Sequence, residues 1–128
     1  MTREEILNMP AGREMDALVA EFVMGWLPNP GPALPKDKIV PNFSIDIAAA
    51  WEVVKYIQIN TNYHRFVLET VFEDRLWRFW IGANRNWRES SWPPVEVGET
   101  YWINADANDP SLAICRAALL AKQLSVLV

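Results

Sequence analysis

The sequence predicts an α+β fold, with a small antiparallel sheet layered against three amphipathic or buried helices. Three observations carry this expectation. Residues 15–26 and 47–57 repeat apolar side chains at helical spacing, and 111–124 is apolar nearly all round. Residues 65–82 alternate about a polar pair, as a hairpin does. A further alternating stretch, 101–105, supplies a third strand.

Composition sets the frame. The chain has 128 residues, a length that makes one domain (1–128) and buries about two-thirds of the unfolded surface. With 51% hydrophobic and 22% charged residues it is neither a disordered tail nor a membrane protein. Twelve basic and 16 acidic side chains give a net charge of -4, which argues against a nucleic-acid coat, so no DNA partner is expected. Seven tryptophans stand beside a single His and a single Cys. One Cys makes no internal disulfide, and one His with one Cys builds no closed zinc site without several carboxylates. No secretory signal and no membrane-length apolar run is read, and a lone Cys115 in an apolar helix fits a reducing cytoplasm.

Thr2-x-x-Glu5 is a capping box that opens a short helical turn at Arg3. Pro10 suits the first turn of the next helix. There Met15, Leu18, Val19, Phe22, Val23 and Trp26 form one apolar stripe, ended by Gly25 and Pro28. Pro28, Pro30, Pro32, Pro35 and Pro41 make 28–41 an extended surface loop. Ser44 is expected to cap a second helix, with Asp46 in its first turn. Its stripe is Ile47, Ala50, Trp51, Val54 and Ile57, widened by Ala48, Ala49 and Val53, so the helix should be covered on more than one side or lie flat on a sheet.

With Glu73-Asp74 at the hairpin turn, Phe66 faces Ile81, Leu68 faces Phe79, Thr70 faces Trp77 and Phe72 faces Arg75. That register puts Phe66, Leu68, Phe72, Trp77, Phe79 and Ile81 on a core face. Val67, Glu69, Val71, Leu76, Arg78 and Trp80 share the other face, with Glu69 opposite Arg78. Residues 84–97 form a long irregular segment. Asp109 and Pro110 fit an N-cap and first helical position for the last helix. Arg116, its only mid-helix charge, needs a partner if buried.

Three stretches in this order resemble one family. They are Pro10-Ala11-Gly12-Arg13-Glu14-Met15-Asp16-Ala17-Leu18-Val19-Ala20-Glu21 with Met24-Gly25-Trp26, then Ser44-x-Asp46-Ile47-Ala48-Ala49-Ala50-Trp51-Glu52-Val53-Val54, then Leu112-Ala113-Ile114-Cys115-Arg116-Ala117-Ala118-Leu119. Together they are similar to the phage ABA-sandwich domain family of small phage and prophage proteins. The resemblance spans the three helices, and the hairpin and Trp-rich loop follow no family motif. It implies a sheet sandwiched between helical layers and a phage or prophage gene expressed in a bacterial host cytoplasm. It transfers no catalytic residue set.

Residue chemistry leans away from an enzyme. His64 has no Ser or Cys motif beside it, and Asp46 and Glu52 do not share a helix face. Glu73 and Asp74 sit at a turn, Asp106 and Asp109 flank a helix start, and the glycines form no phosphate cradle. No catalytic residues, metal ligands or cofactor are assigned. The ligand-binding candidates are Arg75, Arg78, Trp80, Arg85, Trp87, Arg88 and Trp92, with Arg13 as a further arm. Guanidinium groups take phosphate bidentately, and indole faces stack on bases or on Arg. The competing reading makes Trp77 and Trp102 core, pairs Arg78 with Glu69, pairs Arg13 with nearby Glu, and leaves the loop as a solvated edge. Trp26 and Trp51, on helix stripes, read as core. The exposed N–H groups at Ser44–Asp46 and Asp109–Ser111 are either an anion site or ordinary caps.

The expectation is therefore a non-enzymatic binding protein. Its specific form sequesters a small anionic, nucleotide-derived signal of host antiviral defence. The alternative is an inhibitor or adaptor that binds a host protein, since Trp and Arg also lead at interface hot spots. A cryptic hydrolase comes third. Apolar helices and surplus Trp are compatible with a homodimer.

Overall fold

The computed structural model describes residues 2–26, 40–61, 63–71, 75–84 and 100–124. Helices α1 (Arg3–Asn8) and α2 (Arg13–Leu18) are followed by a π turn (Val19–Val23). Then come α3 (Ile47–Asn60), strands β1 (Arg65–Val71), β2 (Leu76–Asn84) and β3 (Thr100–Ala107), and α4 (Pro110–Leu124). The α+β expectation holds, with one three-stranded antiparallel sheet in the order β1-β2-β3. The proline-rich 28–41 loop and Phe72 fall largely or wholly outside the described residues.

The hairpin register is the one expected: Phe66 pairs with Ile81, Leu68 with Phe79, Glu69 with Arg78 and Thr70 with Trp77. It follows from alternation, because a one-residue slip would turn every apolar side chain to the other face. The third strand adds Ile103, Ala105 and Ala107 to the core face, opposite Ile81, Phe79 and Trp77. Trp102 falls on the other face, opposite Gly82. A Cβ at Gly82 would lie 2.9 Å from the Trp102 ring, so only glycine lets that indole lie against β2.

Helix α4 packs on β2 and β3, and α1, α2, the π turn and α3 pack around the rest of it. Its apolar residues from Leu112 to Ala121 are all buried. Asp109 caps it, accepting from Ser111 N–H at 2.8 Å, with Pro110 at the first helical position. Arg116 is satisfied by carbonyls rather than a carboxylate. It donates to Met9 O at 2.9 and 3.3 Å and to Asp106 O at 2.8 Å.

Four local expectations are corrected. Helix α2 starts at Arg13 with Gly12 (φ 146°) as N-cap, so Pro10 precedes the helix instead of opening it. The reason is tertiary: Gly12 N–H donates to Ser44 Oγ at 2.9 Å. Ser44 does not cap α3. It is fully buried, and both its N–H (2.8 Å) and its hydroxyl (2.6 Å) donate to the buried Asp16 carboxylate. Asp46 is the cap instead, accepting from Ala48 N–H at 3.0 Å. Phe22 leaves the core stripe, because each residue of a π turn rotates less than in an α-helix and this carries Phe22 outward. Gly25 (φ 72°) then ends the turn as expected, and Trp26 N–H closes on Ala20 O at 2.9 Å. Finally, α3 is covered on one side only. Ala50, Val53, Val54 and Ile57 face inward, while Trp51 is 44% exposed. Trp26 is half-buried against Phe43, with ring centroids 6.1 Å apart.

Two substitutions test this packing. Gly82→Ala forces the Trp102 ring to move and should cost about 1–3 kcal/mol in a urea unfolding curve. Asp16→Ala leaves the buried Ser44 N–H and hydroxyl without their acceptor and should cost about 3 kcal/mol by the same measurement. An unchanged midpoint in either variant contradicts the corresponding contact.

Candidate functional site

Alternation along the strands decides which candidate side chains meet. Even-numbered β2 residues point away from α4, so Arg78 and Trp80 share the outer sheet face with Glu69, Asp106 and Trp102. Arg78 pairs with Asp106 through two hydrogen bonds, Nε to Oδ1 at 2.6 Å and Nη2 to Oδ2 at 2.9 Å. The Arg78 guanidinium carbon sits 5.8 Å from the Trp80 ring centroid. The Trp80 indole N–H donates to Glu69 Oε1 at 2.6 Å, and its ring meets Trp102 edge-on at 6.0 Å. Two cross-strand carboxylates therefore already occupy the polar ends of the two sequence-predicted residues on this face.

The remaining candidates are dispersed. Arg75 is exposed at the hairpin turn in a left-handed conformation (φ 53°). Arg13 is exposed at the start of α2, on the α4 side of the sheet and away from Arg78 and Trp80. Arg85, Trp87, Arg88 and Trp92 lie outside the described residues.

A cavity of about 210 Å³ opens at the edge of β3 away from β2, where the start of α1 and the last turn of α4 meet the strand. It is lined by Arg3, Trp102, Ile103, Asn104, Leu120 and Gln123. None of these lining residues is acidic. An apolar cavity of about 150 Å³ holds benzene, so this one has room for a planar ring and a substituent. Sequence reasoning named Trp102 only as core on the competing reading and did not single out Arg3, Asn104 or Gln123, which are brought together only by a fold that joins distant segments. A second, smaller cleft of about 110 Å³ lies between Tyr56, Thr61, Tyr63 and Ala118. Its lining is mainly aliphatic and aromatic, and Tyr63 there donates to Ala121 O at 3.2 Å.

Among the described residues no three His, Cys, Asp or Glu side chains gather as metal ligands. Cys115 is fully buried, and burial pushes its thiol pKa up, with the Asp16 and Asp109 charges adding to the rise. A raised thiol stays protonated and is a poor nucleophile. Burial also lowers the Arg116 pKa and raises that of Tyr63. Among the described residues no helix is long and apolar enough to cross a membrane.

The Cys115 environment has a testable consequence. The folded chain holds the thiol proton more tightly than the unfolded chain. The associated stability is fully present below the ordinary thiol value of 9.0 and is lost as pH rises above it. Unfolding free energy should therefore fall with pH from about 9 upward, and Cys115→Ala should remove that part of the slope. The later decline from buried Tyr63, starting near its ordinary value of 10.0, should remain. The native thiol should also resist alkylation that proceeds readily in denaturant.

Comparison with known proteins bears on the fold and lineage. No curated protein matches the chain. It resembles the crystal structure of a phage protein from Bacillus cereus ATCC 14579, with a TM-score of 0.55 and 17% identity over 88% of this chain and 92% of that one. At that identity the likeness speaks for the fold. The sequence model of the phage ABA sandwich domain matches residues 17–119, which run from α2 to α4 through every strand. The chain belongs to the phage ABA sandwich domain family, and its α+β architecture agrees with that membership.

Proposed function

We propose that this phage protein works by binding, and that its ligand is a small anionic, nucleotide-derived molecule held at the edge of β3 away from β2. One observation carries the reading: Arg3, Trp102, Asn104 and Gln123 line a single cavity, and none of its described lining residues is a carboxylate. The chemistry matches the ligand class. A guanidinium takes a phosphate, an indole face takes a base, and a side-chain amide such as that of Asn104 offers a donor and an acceptor to a base edge. Arg78 and Trp80 are poorer anchors, because Asp106 and Glu69 already hold them. In a phage-encoded protein the corresponding role is sequestration of a nucleotide signal used in host antiviral defence.

A second reading, an inhibitor or adaptor for a host protein, is favoured by one feature. Val67, Trp80 and Trp102 lie on the outer face of the sheet, and Val67 and Trp102 are 44% and 40% exposed. Apolar and aromatic groups inside a ring of satisfied charges suit a protein surface.

A thermal-shift screen with linear and cyclic nucleotides, followed by calorimetry, separates the two. A ligand at 100 times its dissociation constant should add about 2.7 kcal/mol of stability. Arg3→Ala and Trp102→Ala should each weaken binding by about tenfold or more, while Arg13→Ala leaves it unchanged. Binding that survives both cavity variants but is lost in Arg85→Ala or Arg88→Ala would return the ligand to the Arg/Trp segment. No shift with any nucleotide favours the host-protein reading, and consumption of the ligand favours a hydrolase.

A further inference from the structure

We propose that the outward face of α3 is the interface of a homodimer, packed antiparallel against α3 of a second copy. Three of the exposed large apolar side chains, Ile47, Trp51 and Ile59, lie on this one helix and are 45%, 44% and 80% exposed. Together with Lys55 they are spaced at i, i+4, i+8 and i+12, the inclined ridge that interdigitates in the commonest helix packing. The inward side of the same helix (Ala50, Val53, Val54 and Ile57) is already taken up against α4. Nothing in the internal packing of the described residues calls for apolar groups on the other side.

The order of residues along the ridge points to a second copy over another partner. A two-fold interface must be complementary to itself. With two α3 helices antiparallel and crossing at the level of Val53, Ile47 of one copy meets Ile59 of the other, and Trp51 meets Lys55. The aliphatic stem of Lys55 then covers the indole, with its ammonium over the ring. Glu52 and Lys55 already pair at 3.2 Å within the helix, so this patch carries both charge signs. Across the two-fold, each Glu52 approaches the Lys55 of the other copy, so unlike charges meet on both sides. A helix of 14 residues is about 20 Å long, which offers less than the roughly 800 Å² per partner of a standard interface. The dimer is therefore concentration-dependent, not permanent.

Sedimentation velocity on the full chain over a concentration series tests this directly. The expected result is reversible dimerisation, weakened about tenfold or more by Trp51→Glu and by Ile59→Lys, both at exposed positions. Thermal melts check that each variant remains folded. Lys55→Glu should weaken association, and the double change Glu52→Lys with Lys55→Glu should recover part of it, through the swapped charge pair but not the contact of the ammonium with the indole. Register is read by disulfide trapping, with buried Cys115 as a silent background. A mixture of Ile47→Cys and Ile59→Cys proteins should cross-link faster than either variant alone. A monomer throughout the series, a dimer indifferent to Trp51→Glu and Ile59→Lys, or equal cross-linking in mixed and single-variant samples would each overturn the proposal.

Discussion

Burial of α4 on every side is the constraint on which the rest of the molecule depends. A helix surrounded by a sheet and other helices carries no solvated stripe, and its alanines at 113, 117, 118 and 121 let the neighbours approach closely. Placing Arg116 in that position means that its guanidinium must be met wherever it ends, since a buried charge without partners costs several kcal/mol. Its hydrogen bonds reach Met9 O, between α1 and α2, and Asp106 O, near the end of β3. One side chain thereby ties the N-terminal segment and the sheet to the central helix. Asp16 acts likewise a layer further out, joining α2 to the turn before α3 through Ser44.

What the sequence made legible follows the same division between local and distant forces. The hairpin register, the Asp109 cap, the Gly25 stop and the envelopment of α4 were readable, because each rests on periodicity or on residues a few positions apart. Ser44 and Asp46 were not separable in this way. Both are good caps, and the choice was made by Asp16, 28 residues away. The π turn was hidden because its stripe is continuous with that of α2 until the change in rotation shows at Phe22. Trp51 was misread for a different reason. A helix apolar nearly all round has no local mark for which side will be left bare, and the number of neighbouring helices decides it.

For the candidate binding residues, the sequence showed which side chains share a sheet face but not what else reaches that face. Trp and Arg do concentrate between residues 75 and 102, and strand alternation does bring Arg78 and Trp80 onto one face. That pattern cannot show that Asp106 and Glu69 arrive on the same face from the flanking strands. Cross-strand partners of opposite charge are a usual way to stabilise an exposed sheet face, and they use up the same groups an anionic ligand would need.

The acidic balance of the chain sharpens this distinction. With 16 acidic against 12 basic residues, the long-range field offers an anion no general attraction. Retention must then come from contacts at short range. The arginine that matters is one whose near surroundings hold no carboxylate, beside an aromatic face that binds without regard to charge. Arg3 and Trp102 line a cavity at the edge of β3, and none of its described lining residues is acidic. There the helical end of α4 and the start of α1 build a wall that neither segment supplies alone. The central helix thus shapes the cavity as well as the core. Its last turn contributes Leu120 and Gln123, and the Arg116 link to Met9 anchors the segment just after α1, which carries Arg3. Loss of that anchor would disturb the cavity and the fold together, whereas a change at Arg3 itself, on the exposed first turn of α1, reaches only the cavity.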